Sequence, residues 1–169
     1  MRQAPLVIPS SLPDPSRVLS DGSVILGTLL LPLGFEFCRE EAGKGSGGFY
    51  AVGKFRRADR VLDLHFRYSL GLVSYHAASI SLSHEDYMWS VLGKRFSRHY
   101  PGFSSDPLEG FRHLLRDLEE YGTDFLKGPD GDFSEARRAG ALAQGIYAAS
   151  PLKQVRMRVD GYEHDRRAD

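Results

Sequence analysis

Residues 49–68 read FYAVGKFRRADRVLDLHFRY, and their alternation decides the fold class. Phe49, Ala51, Gly53 and Phe55 alternate with Tyr50, Val52, Lys54 and Arg56. Beyond Ala58-Asp59, Leu62, Leu64, Phe66 and Tyr68 alternate with Val61, Asp63, His65 and Arg67. Successive side chains of a strand point to opposite faces, so period two on both sides of a two-residue link predicts an antiparallel hairpin. Pairing Arg57 with Arg60 sets Phe55 against Leu62, Ala51 against Phe66, Lys54 against Asp63 and Tyr50 against Arg67. One face is then apolar, and the other is mixed and partly charged.

Outward from this hairpin, a strand is predicted over 35–41, followed by a flexible hairpin loop over the glycine run 43–48. A further strand over 72–82 returns after Ser69-Leu70-Gly71. Ser83 with Asp86 caps a short helix carrying Tyr87, Trp89, Val91 and Leu92, and Gly93 ends it. Asp106-Pro107-Leu108-Glu109 opens the strongest helix. Its Leu108, Phe111, Leu114, Leu115, Leu118, Tyr121 and Phe125 recur at three and four, and Gly128-Pro129 stops it. A small-residue helix up to Pro151 and an edge strand over 155–159 complete the pattern. On the N-terminal side, Asp21 is predicted to cap a helix over 22–31 that Pro32 and Gly34 end.

Strands run consecutively and helices follow, which is an α+β pattern: an antiparallel sheet of about four strands packed by helices. Pro5, Pro9, Pro13 and Pro15 predict an extended proline-rich arm over 1–20. Residues 21–160 then form a single domain, and 161–169 a loose polar tail.

The 169 residues are 41% hydrophobic and 26% charged, close to globular averages, which excludes a wholly disordered chain. Twenty-two basic side chains balance 22 acidic ones, so a protein living mainly on a nucleic-acid backbone is disfavoured. A lone cysteine, Cys38, excludes an intrachain disulfide and a multi-cysteine zinc site. The longest apolar stretch, 24–35, contains Pro32 and is too short to span a bilayer. It begins behind Asp21 without an A-x-A site, unlike an ordinary signal peptide, so the expected compartment is the cytoplasm and no membrane partner is expected.

No complete catalytic set is legible. Gly43 to Gly48 fits GxGxxG, but a strand rather than a helix follows, so the dinucleotide geometry fails. His84-Glu85 opens like HExxH, yet Met88 stands where the second ligand belongs. His65, His76 and Asp63 lie on neighbouring strands, a set that could hold a metal or move protons were it to converge. No cofactor is read from the sequence. Two basic clusters remain: Arg56, Arg57 and Arg60 at the hairpin tip, and Lys94, Arg95, Arg98 and His99 around Phe96 and Tyr100.

Several segments carry a family likeness: Leu33-Gly34-Phe35, the strand end Phe66-Arg67, Tyr100-Pro101-Gly102-Phe103, and Phe111-x-x-Leu114-x-x-Asp117-Leu118. In this order they resemble small bacterial α+β domains of unknown function, some of which are similar to immunity proteins encoded beside polymorphic toxins. The resemblance spans residues 20–130 and implies a binding role with no catalytic residue. The zero net charge departs from the acidic bias expected of inhibitors of basic nuclease toxins.

The leading expectation is a cytoplasmic protein-binding module, of immunity or accessory type, with another protein as partner and a homo-oligomer left open. Interfaces favour aromatics and arginine, which selects Tyr50, Arg67, Tyr75 and Trp89 as candidates where solvent-facing. The alternative is a small ligand-binding domain or enzyme using the sheet face of His65, Arg67 and His76. A second alternative is a single-stranded nucleic-acid binder using the basic clusters.

Overall fold

The computed structural model describes residues 13–58, 60–77, 80–93 and 105–128. The second basic cluster, the small-residue helix, the strand over 155–159 and the tail lie outside them. The chain opens with α1 (Pro15–Leu30) and a 3₁₀ turn (Leu31–Leu33), then builds five strands: β1 (Glu36–Gly45), β2 (Gly48–Arg57), β3 (Arg60–Phe66), β4 (Leu70–Ala77) and β5 (Ile80–Ser83). Three helices follow: α2 (His84–Leu92), α3 (Glu109–Tyr121) and α4 (Thr123–Leu126).

The sheet is antiparallel throughout, in the order β1-β2-β3-β4-β5. The fold is therefore α+β as expected, with five strands rather than about four. The predicted hairpin register holds from Arg57↔Arg60 through Lys54↔Asp63 and Phe55↔Leu62 to Ala51↔Phe66, where the ladder ends. The predicted 72–82 strand is instead β4 and β5, a hairpin pairing Ala77 with Ile80. The glycine run is mostly strand: β1 reaches Gly45, β2 starts at Gly48, and only Ser46 and Gly47 turn.

The arm prediction needs correcting at its C-terminal end. Asp14 Oδ1 accepts from the Ser16 amide at 3.0 Å, with Pro15 in the first turn of α1. Proline is welcome there, because its missing N–H would have no intrahelical partner and its φ is already helical. Asp21 is consequently an interior residue, 4.0 Å from Arg17 one turn earlier, and not a cap. The segment Pro15–Leu33 is long and apolar enough to cross a membrane by length and composition, longer than the 24–35 stretch suggested. In this fold its Val18, Leu19, Leu26 and Leu30 are buried in the core. Gly34, at φ 84°, ends the 3₁₀ turn in the left-handed region that glycine enters without a Cβ penalty.

The core lies on one face of the sheet. Ala51, Phe55, Leu62, Leu64, Phe66, Val73 and Tyr75 point inward, against Leu19, Leu26 and Leu30 of α1 and Phe111, Leu114 and Leu118 of α3. The two helices meet at Gly22, where any Cβ would land on the Phe111 ring. The predicted long helix breaks at Gly122 into α3 and α4, which lets Phe125 pack edge-on against Tyr75 at 4.8 Å. Among the described residues, no helix covers the opposite sheet face.

The buried polar residues Arg60 and His84 are hydrogen-bonded. Deep in the core, His84 Nε2–H donates to Asp117 Oδ2 at 3.1 Å, which leaves Nδ1 to accept from the Tyr75 hydroxyl at 2.6 Å. This chain ties β4, α2 and α3 together. Burial pushes the Tyr87 hydroxyl up to about 12, so it stays a donor, to the Tyr121 carbonyl at 3.1 Å.

Candidate functional site at the open end of the sheet

The sheet has two unlike ends. At the β2–β3 turn end, Arg60 is 5% exposed and donates to the carbonyls of Asp124, Phe125 and Gly128 around the end of α4. Arg57 donates to Leu33 O at 3.0 Å and Leu126 O at 2.8 Å, with its guanidinium 4.6 Å over the Phe35 ring. Helix C-termini leave carbonyls without partners and carry partial negative charge, which guanidinium donors satisfy. Arg56 bonds Glu40. The expected basic patch of Arg56, Arg57 and Arg60 is thus not a free surface: two members close the core and the third is ion-paired.

The opposite end differs. Here the β1–β2 turn, the residues after β3 and the start of α1 enclose a cleft of about 370 Å³. Pro13, Asp14 and Pro15 line it from the helix side; Lys44, Gly48 and Phe49 from the hairpin; Arg67 and Tyr68 from the strand end. Phe49 is 60% exposed and Tyr68 50%. Both belong to alternations that predicted core positions. They fall outside the core because α1 begins at Pro15. Leu19 packs near Gly53, so only one helical turn remains to cover the sheet beyond it. Leu72, 68% exposed, pairs with His65 on the other sheet face and does not line the cleft.

Lys44 and Arg67 have no carboxylate partner among the described residues. Lys44 Nζ sits 5.4 Å from the centroid of Phe49, and the Arg67 guanidinium 5.9 Å from that of Tyr50. Arg67 Nε is buried without a hydrogen-bond partner, and the guanidinium lies against Gly47, where a Cβ would collide with it. Tyr50 donates to Glu41, which raises its hydroxyl pKa. His65 stacks on Tyr50 at 5.7 Å. Burial, and then the charge of Arg67, hold the His65 pKa below its ordinary value.

The sequence candidates therefore separate. Tyr50, His65 and Arg67 gather at the open end. His76 does not join them: it pairs with Val61, four positions along β3 from His65, or about 13 Å at strand rise. Its Nε2 approaches Asp63 Oδ2 to 2.7 Å without hydrogen-bond alignment, beside Lys54, which also contacts Glu40 at 2.7 Å. The bond to Glu40 holds the Lys54 pKa high. This middle of the face is an internally paired ion cluster, so the combined His65, Arg67 and His76 site does not assemble. Tyr75 is fully buried and is no surface residue. Trp89 is half-buried on α2, which packs on β4 and β5.

Comparisons with family models, curated proteins and solved structures each return no match. What the sequence reading missed is Lys44, Phe49, Tyr68 and the Pro13–Pro15 wall. Lys44 was hidden inside a glycine run, and the two aromatics inside regular alternations.

Proposed function

We propose that the protein is a protein-binding module, of the accessory or immunity type implied by its sequence resemblance, and that it engages its partner through the open end of the sheet. The carrying observation is the concentration there of exposed Phe49 and Tyr68 with two cations, Lys44 and Arg67, that have no carboxylate partner among the described residues. Interface cores are enriched in aromatics and arginine, and their energy concentrates in a few such anchors around a concavity. The other arginine-rich end supports the contrast, because its guanidiniums are engaged by carbonyls and Glu40.

A tagged pull-down from source cells tests this, comparing the natural chain with a Phe49→Ala/Tyr68→Ala variant. A stoichiometric protein partner, lost in the variant and retained by Trp89→Ala, is the expected result. An identical set of captured proteins for all three chains would overturn the reading.

A further inference from the structure

Resting on that reading, the chemistry of the cleft narrows the class of partner. We infer that the open-end cleft receives an acidic peptide segment carrying an apolar or aromatic residue beside its carboxylates. Shape supplies the first half of the argument. Pro13, Pro15, Phe49 and Tyr68 offer flat apolar walls around about 370 Å³, room for a large side chain rather than a folded element.

Charge supplies the second half. Lys44 and Arg67 flank the cleft against a single lining carboxylate, Asp14, whose Oδ1 already accepts the Ser16 amide. Glu41 keeps its charge while it accepts from Tyr50, but it forms no ion pair with either cation. The Arg67 guanidinium is held between the Tyr50 ring and the Gly47 turn, which lowers the ordering cost of using it. Its Nε is buried without a hydrogen-bond partner, and a donor left unmade in this way gains from a new acceptor. A small outward movement of the side chain would bring that N–H and the terminal nitrogens to a carboxylate, whose two oxygens match the guanidinium fork.

Single-stranded nucleic acid shares part of this chemistry, since bases stack on aromatics beside cations. It is disfavoured because a backbone needs a track of positive charge. The other described arginine cluster is consumed by carbonyls and Glu40, and the chain's net charge is zero.

The test is fluorescence anisotropy of the full chain with a fluorescein-labelled peptide Gly-Glu-Glu-Phe-Glu-Glu-Gly. Controls are the same peptide with lysine for glutamate and a labelled oligothymidylate. Saturable binding of the acidic peptide alone is expected, weakened about tenfold by Arg67→Ala or Lys44→Ala, the scale of a lost charge-assisted contact. Arg56→Ala, which removes a charge elsewhere, is expected to leave it unchanged. Gly47→Ala, which displaces the guanidinium without removing it, is expected to weaken it as well. Equal binding of both peptides, tighter binding of the oligonucleotide, or no binding of the acidic peptide would overturn the inference. A pull-down partner that depends on Phe49 and Tyr68 while the acidic peptide fails would leave the protein-binding reading standing and remove only this inference.

Discussion

The two ends of the sheet use the same residue types for opposite purposes. At the β2–β3 turn, arginines fold back onto carbonyls at the ends of α4 and the 3₁₀ turn, and an aromatic ring lies under one of them. At the β1–β2 turn, a lysine and an arginine lie over aromatic rings with no carboxylate partner among the described residues. Residue type alone does not separate structure from function here. Whether a helix end reaches the guanidinium does: α4 and the 3₁₀ turn finish at one end, whereas α1 only begins at the other and presents a cap already filled by Asp14.

The comparison breaks most visibly at Arg60. Arg60→Ala removes the donor to the buried Phe125 carbonyl and to the half-buried carbonyls of Asp124 and Gly128, and a loss of about 3 kcal/mol is expected in urea unfolding. A loss below about 1 kcal/mol would mean that water replaces the guanidinium and that this end is not closed. Next in size is Tyr75→Phe, which strips the hydroxyl from buried His84 Nδ1 and is expected to cost about 1–2 kcal/mol by the same measurement. An unchanged midpoint would show that the Tyr75–His84–Asp117 chain does not hold the core.

Smallest is the pH response of His65. Its folded pKa lies below the unfolded value, so the unfolded chain binds the extra proton in the window just under pH 6.5. Stability is therefore fully present above that window and declines as pH falls through it. Thermal unfolding across pH 5 to 7 should show a shallow slope that His65→Gln flattens. A variant with the natural slope would place the titration elsewhere.

Much of the fold was legible because local rules agreed. Alternation on both sides of Ala58-Asp59 fixed the register of β2 against β3, although Ala58 takes an unusual φ of 48° in the turn. Ser83 and Gly93 bounded α2 as capping residues should. Tyr75 could have been placed correctly too: Ser74 and His76 flank it, and two polar neighbours on one face send the residue between them to the other. The start of α1 is hidden in the sequence because Pro15 stands in a run of prolines, yet it occupies a first turn that tolerates it.

The site was only partly legible, and for a different reason. Periodicity assigns Phe49 and Tyr68 to a face but does not say where the covering helix stops. Lys44 and Arg67 become neighbours of one cleft only through the hairpin register and the position of Pro15. That information is tertiary.

Paired urea unfolding of Arg67→Ala and Arg60→Ala tests the contrast most directly. The expected result is a large loss for Arg60→Ala and a change within about 0.5 kcal/mol for Arg67→Ala, as for an ordinary surface substitution. Comparable losses in both would contradict it, because Arg67 would then be holding the fold together as Arg60 does.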